Sequence, residues 1–194
     1  MIKAKKSLGQ NFLIDQNIIK KITSLVDIEN KNVLEIGPGS GALTTEILKK
    51  NPKSLIVVEK DKSLAIKLKS KFKNKINFKL YNEDILRIDL KKIIRKNLIV
   101  FGNLPYNISS QILVKFIKIK KLSPDFSDFI FMFQKELGDK IVAKFPSSDY
   151  GRLSILSTLK LEILKKFLVS RNCFFPKPKV TSIVIHFRPK ENIS

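Results

Sequence analysis

Apolar residues along this chain repeat with two different periods. Ile18, Ile19, Ile22, Leu25 and Val26 fall at helical spacing behind Asp15, whose carboxylate suits an N-cap, so the pattern predicts a helix there. Compact apolar runs of strand length follow at residues 32–36, 54–58, 76–80, 98–101 and 128–133. Helical patterns occupy 42–50, 62–72, 90–95 and 109–121 between them. Such alternation predicts an α/β fold: a parallel sheet with helices on both faces. The last third reads differently, with helices at 134–145 and 152–158 and a strand at 161–169. Residues 180–188 alternate, placing Thr181, Ile183, Ile185 and Phe187 on one face and Val180, Ser182, Val184 and His186 on the other. That alternation predicts an antiparallel strand with one face covered. No repeat or linker interrupts the pattern, so residues 1–194 read as one domain.

The longest apolar runs, 98–101 and 129–133, fall far short of the ~20 residues a bilayer span needs, which predicts no membrane association through a spanning helix. Residues 1–10 are basic, but no apolar stretch of the kind a secretory signal requires follows them. The lone Cys173 excludes an intrachain disulfide framework or a thiolate metal cluster and fits a reducing cytoplasm. Charge changes the picture more. Lys and Arg number 38 against 17 acids, a formal net charge of +21. Most of the bases are Lys in a chain rich in Ile and Asn, as an AT-biased genome encodes, yet such bias does not explain the shortage of acids. A polyanionic partner does; the plainer reading is a solvated basic surface.

Two segments carry chemistry. In Val33-Leu34-Glu35-Ile36-Gly37-Pro38-Gly39-Ser40-Gly41-Ala42 a strand runs into a glycine turn that opens a helix, the arrangement that lets backbone approach a ligand closely. Glu59 closes the next strand about twenty residues on, where an acid accepts the hydroxyls of a ribose. Together they point to an adenosine-containing cofactor. Gly37-x-Gly39-x-x-Ala42 satisfies the dinucleotide fingerprint, and Gly37-x-Gly39-x-Gly41 has the spacing usual in S-adenosylmethionine enzymes, so the cofactor stays open at this point. The second segment, Asn103-Leu104-Pro105-Tyr106, follows the fourth strand candidate. An exocyclic adenine amine is a poor nucleophile because its lone pair is delocalised. The Asn103 side-chain oxygen and the Leu104 carbonyl can accept its N–H bonds and favour a pyramidal nitrogen, Pro105 can hold the turn, and Tyr106 can offer a ring face to the base. In isolation the same residues would make a turn with its Tyr packed on the core.

With these residues in place the chain resembles a known family, the ribosomal RNA adenine N6,N6-dimethyltransferases, and within it the small-subunit type whose loss confers kasugamycin resistance. The resemblance rests on Gly9-Gln10-Asn11-Phe12-Leu13, Glu35-Ile36-Gly37-Pro38-Gly39, Glu59, Asp84, residues 101–109, Gln134-Lys135-Glu136, Tyr150-Gly151-Arg152-Leu153-Ser154 and residues 176–182, in the family's order. It implies a Rossmann-like methyltransferase fold with a mostly parallel seven-stranded sheet and an antiparallel final strand. It implies S-adenosylmethionine as cofactor, held by Gln10, Asn11, Leu13, Gly37, Gly39, Glu59, Asp84 and Asn103. Asn11 and Leu13 resemble a lid strand, Glu59 the ribose acceptor and Asp84 the acceptor for the cofactor's adenine amine. The catalytic set by resemblance is Asn103, Leu104, Pro105, Tyr106 and Phe174, the last stacking on the target adenine opposite Tyr106, with Phe175 as its one-residue alternative. The implied partner is ribosomal RNA in a small subunit or its precursor, acted on in the cytoplasm by a monomer without metal. Family members normally continue into a small helical domain after the last strand, whereas this sequence stops at Ser194.

Other residues read more plainly. Cys173 reads as a small buried hydrophobe, His186 as a polar-face residue, Asp125 and Asp128 as caps or turn formers, and the lysine clusters 115–121 and 165–166 as solvated faces. The competing functions are a large-subunit methyltransferase of the macrolide-resistance type, a non-catalytic RNA-binding assembly or transcription factor on the same fold, and a nicotinamide oxidoreductase. For the last, the chain offers no hydride-site acid or base.

Overall fold

A computed structural model describes residues 9–120 and 122–191. In chain order the elements are β1 (Phe12–Leu13), α1 (Gln16–Thr23), β2 (Asn32–Ile36), α2 (Ala42–Lys49), β3 (Ser54–Val58), α3 (Lys62–Lys71), β4 (Phe78–Tyr81) and β5 (Leu98–Asn103). They continue with α4 (Ser109–Ile117), β6 (Phe126–Gln134), α5 (Lys135–Val142), α6 (Arg152–Lys160), β7 (Leu161–Val169), β8 (Phe174–Phe175) and β9 (Ser182–Pro189). Seven strands form one sheet in the order β4-β3-β2-β5-β6-β9-β7, while β1 and β8 pair antiparallel as a separate ribbon. Within the sheet β4, β3, β2, β5 and β6 are parallel; the final strand β9 runs antiparallel between β6 and β7. None of the helices in the described residues is long and apolar enough to cross a membrane.

The unbroken apolar runs are explained by two cores, one on each face of the sheet. Leu34, Ile36, Val100, Phe129 and Phe131 face a core closed by α4 and α5, while Val33, Leu55, Val57, Ile99 and Phe101 face one closed by α1, α2 and α3. Neighbouring residues of a strand are therefore both buried, which continuous runs require and alternating ones do not. Local signals start the helices: Asp15 accepts the Ile18 N–H at 2.9 Å and Asp61 accepts that of Ser63 at 2.9 Å.

Several expectations are corrected. The helix anticipated at 90–95 is a single 3-10 turn, Leu90–Lys92, because the Asp89 cap and the start of β5 leave room only for i+3 and one i+4 bonds. β4 begins two residues late, since Ile76 lies fully exposed in the preceding turn. Helix α4 stops at Ile117, and Lys121 lies outside the described residues. Strand β9 is covered on both faces rather than one, because β6 and β7 flank it and a core lies on each side: Ile183, Ile185 and Phe187 enter one and Val184 the other. His186 is 5% exposed and shares a 2.7 Å hydrogen bond with Asp128, a β6 residue, so neither is a surface group or a cap. Burial pushes the Asp128 carboxyl up, but bonds from His186 and Ser127, with Arg188 nearby, outweigh it and hold that carboxyl below its usual range. Lys115 is not freely solvated either, since its Nζ donates to the Ile88 carbonyl at 2.9 Å.

Helix α5 approaches β9 through a glycine. A Cβ at Gly138 would occupy the space of the Ile183 γ-methyl and lie 3.6 Å from Ile185. Gly138→Ala is expected to cost about 1–3 kcal/mol of stability through overpacking, read as a lower urea midpoint at unchanged slope.

Candidate active site

The site grows out of strand order. β4, β3, β2 and β5 lie side by side and end at the same edge, so the residues just past or at their carboxyl ends, Asp84, Glu59, Gly37 and Asn103, form a row. The chain leaves β2 toward β3 on one side and reaches β5 on the other, the switch point at which open α/β sheets bind ligands. Register fixes the closest pair: Ile36 opposes Gly102, which puts Gly37 beside Asn103. A Cβ at Gly37 would lie 3.9 Å from both the Asn103 carbonyl and Pro105, in ordinary contact and without collision. Gly37 takes φ +64, so its backbone turns into the cleft while its N–H is held by the Val58 carbonyl at 2.9 Å. The glycine two positions on serves packing instead, because a Cβ at Gly39 would strike the Phe12 ring at 2.7 Å.

These residues border one cleft of about 1100 Å³, open mouth included. Gln10, Asn11, Leu13, Gly37, Gly39, Glu59, Asp84, Asn103, Leu104, Pro105 and Tyr106 all line it, so the structure brings together every site residue expected from the sequence except one. Phe174 is the exception. Its ring is 3% exposed in the core beneath α1 and α2, whereas Phe175 is 59% exposed. Consecutive strand residues point to opposite faces, so only one of the pair can pack inward. Phe175 is the member with a free ring.

The β1–β8 ribbon overlies the glycine loop, with Leu13 opposite Phe174 and Phe12 opposite Phe175. Two side-chain bonds tie the segment before β1 to the sheet. Gln10 Nε2 donates to Asp61 Oδ2 at 3.1 Å, and Asn103 Nδ2 donates to the Asn11 carbonyl at 3.0 Å. The second bond orients the Asn103 amide. With its nitrogen engaged, the acceptor Oδ1 is the end that remains for a ligand.

Each acid in the row has its own environment. Glu59 is 6% exposed and burial raises its pKa, although it accepts N–H bonds from Asp61 at 2.7 Å and Gly39 at 3.3 Å. Burial also pushes Asp84 up, but the Leu86 N–H at 2.9 Å and the Lys60 ammonium at 3.0 Å outweigh it and hold the carboxyl below its usual range. On the far side of the cleft the Tyr106 ring is half-buried, with its hydroxyl 2.6 Å from Ser182 Oγ. Burial raises the phenol pKa. The turn that carries it is closed by Ile108 N–H donating to the Pro105 carbonyl at 3.1 Å. No group of His, Cys, Asp and Glu among the described residues could hold a metal.

Sequence reasoning gave Glu35 no role of its own. It is 1% exposed within β2, lines the cleft, and accepts the Thr44 hydroxyl of α2 at 2.6 Å. The available signal was a carboxylate in the middle of an otherwise apolar strand. Burial, despite the Thr44 bond and aided by nearby Glu59, pushes its pKa from 4.5 up to about 8.

A model of the family described as ribosomal RNA adenine dimethylase matches residues 1–193. The chain is 54% identical over 191 residues to a ribosomal RNA small subunit methyltransferase A of Pelagibacter ubique, covering 98% of this chain and 72% of that one. Among solved structures it superposes with TM-score 0.81 on a dimethyladenosine transferase from Plasmodium falciparum, at 31% identity over 92% of this chain and 63% of that one. It superposes with TM-score 0.74 on the 23S rRNA methyltransferase ErmE, at 28% identity over 93% of this chain and 70% of that one.

The buried acid generates a pH prediction. An unfolded chain releases the Glu35 proton near 4.5 while the folded protein keeps it to about 8, so Glu35 makes stability fall as pH rises through that window. Glu35→Gln removes this contribution. The variant is expected to gain on the wild type as pH rises from 4 toward 8, measured as the difference between their melting temperatures; a constant difference would contradict it.

Proposed function

The chain belongs to the ribosomal RNA adenine dimethylase family, and on that premise we propose that it transfers two methyl groups from S-adenosylmethionine to the N6 amine of adenines in a loop of small-subunit ribosomal RNA. The observation that carries this reading is the β2–β5 register, which sets the glycine turn beside an Asn103 whose amide is already oriented. The lining of the cleft fits the cofactor: a glycine turn allows close backbone approach, and the acids Glu59 and Asp84 along the rim can accept the hydroxyls of a ribose and an adenine amine. Glu59 accepts the ribose hydroxyls, Asp84 accepts the adenine amine, and Gly37 lets backbone line the tail. When bound, the cofactor supplies a methyl carbon made electrophilic by its sulfonium.

The rest of the chemistry belongs to the chain. Asn103 Oδ1 and the Leu104 carbonyl accept the target amine's N–H bonds, drawing its lone pair out of the ring. Pro105 holds the turn, and the Tyr106 ring carries the base. The proton leaves after the nitrogen has become cationic, so no strongly basic side chain is required and positioning supplies the rate. Unpaired bases in an RNA loop enter such a pocket at modest cost. A net charge of +21 suits the polyanion. The large-subunit reading has less behind it, since the similarity to the 23S enzyme is 28% against 54% for the small-subunit relative. The proposal includes one catalytic domain acting as a monomer in the cytoplasm, a compartment that accords with the lone Cys173.

Incubation with radiolabelled S-adenosylmethionine and immature small subunits, followed by nucleoside analysis, is expected to yield dimethyladenosine. Label in another nucleoside would overturn the proposal. Asn103→Ala is expected to retain cofactor binding and lose roughly 100-fold or more in turnover, the scale for removing a preorganised polar contact. Glu59→Ala is expected to weaken cofactor binding instead, measured by calorimetry, and unchanged affinity would remove Glu59 from the ribose role.

A further inference from the structure

The aromatic wall of the cleft is held by a hydrogen bond from the start of β9, two strands away from β5. Tyr106 Oη and Ser182 Oγ lie 2.6 Å apart, joining residues 76 positions apart in sequence. The two ends of this bond differ in freedom. Ser182 is fully buried and opens β9, where its register pairs it with Gln134 of β6 and Val169 of β7, so its backbone is held from both sides. The carbonyl of its neighbour Thr181 receives the Lys135 N–H at 2.9 Å, anchoring the strand's entry as well. Tyr106 instead lies outside any helix or strand, in the turn after β5, where it lines the cleft. A bond at the far end of the ring pins the ring axis, and with it the first torsion, while half-burial of the ring limits rotation about that axis.

A phenylalanine would present the same ring face to a base, so stacking alone does not call for the hydroxyl. We infer that Ser182 is a positioning residue: through the Tyr106 hydroxyl it holds the ring axis in the place where the target adenine stacks, beside the Asn103 amide. The inference rests on the proposed role of Tyr106 as the face for the target base. Ser182 touches neither substrate nor cofactor. It couples the proposed base slot to the paired ends of β6, β9 and β7.

Ser182→Ala and Tyr106→Phe break the same bond from its two ends. Each is expected to raise KM for immature small subunits about five-fold, the scale of one net hydrogen bond, with kcat changed less and cofactor affinity unchanged. The double variant is expected to be no worse than either single one, and Ser182→Thr, which restores a hydroxyl, is expected to recover most of the loss. A wild-type KM for Ser182→Ala, additive effects in the double variant, or a fall in melting temperature without change in KM would each overturn the role. Quenching of a 2-aminopurine in a short oligoadenylate reads the ring's posture without any turnover. Weaker quenching by both single variants than by the wild type is expected, and equal quenching would overturn the inference. Failure of the wild type to methylate RNA would sink the function proposed above, while the quenching comparison would still decide the role of Ser182.

Discussion

The parallel pairing of β2 with β5 is the constraint on which the site depends. Opposing Ile36 and Gly102 places the turn after one strand beside the corner at the end of the other, with the Gly37 Cβ position 3.9 Å from the Asn103 carbonyl. A register slip of one residue would reverse which side chains face each core and part these two segments together, so the packing that stabilises the sheet also sets the active geometry. Val33 and Leu34 are both fully buried on opposite faces, and neither could take the other's place without exposing apolar surface or emptying a core.

Several of the buried polar groups in this apolar frame sit where two elements must be joined. Glu35 ties β2 to the first turn of α2 through Thr44, Asp128 ties β6 to β9 through His186, and Asp61 caps α3 while receiving Gln10 from the segment before β1. Each would be costly to bury alone, and each has a partner. At Glu35 the bonds from Thr44 do not offset burial, which pushes its pKa up to about 8. It sits beneath the glycine turn as a neutral hydrogen-bonding group across most of the physiological range.

Much of this was legible in the sequence because it follows from short-range pattern. The limits of β2 and β3 coincide with the apolar runs 32–36 and 54–58, and the sheet's final antiparallel strand follows from alternation at 180–188 together with the resemblance. The glycine turn, Glu59 and the Asn-Leu-Pro-Tyr corner were readable because each occupies a strand end, where spacing along the chain translates into position in space, whereas Asp84 came only from the resemblance. What escaped depends on partners distant in sequence. The burial of Phe174 follows from the β1–β8 ribbon, which joins residues more than 150 apart, and that of His186 from its placement opposite β6. The 90–95 segment misled because its apolar residues fill a core beside a turn, and a period of 3.6 over six residues cannot separate that from a helix.

The groups around the cleft share a pattern of half-engagement. Asn103 commits its nitrogen to the Asn11 carbonyl, Tyr106 commits its hydroxyl to Ser182, and Asp84 is held by Lys60 and the Leu86 N–H, so what each turns to a ligand is already oriented before anything binds. Preorganisation of this kind bears on adding two methyl groups in succession. An unmodified adenine amine has two N–H bonds for the two acceptors of the corner, whereas a monomethylated amine has one. Hydrogen bonding therefore positions the second reaction less well than the first, and the deficit falls on whatever holds the ring of the base. In the proposed reading, a tyrosine whose hydroxyl is held at the start of β9 supplies that hold without depending on how many N–H bonds remain.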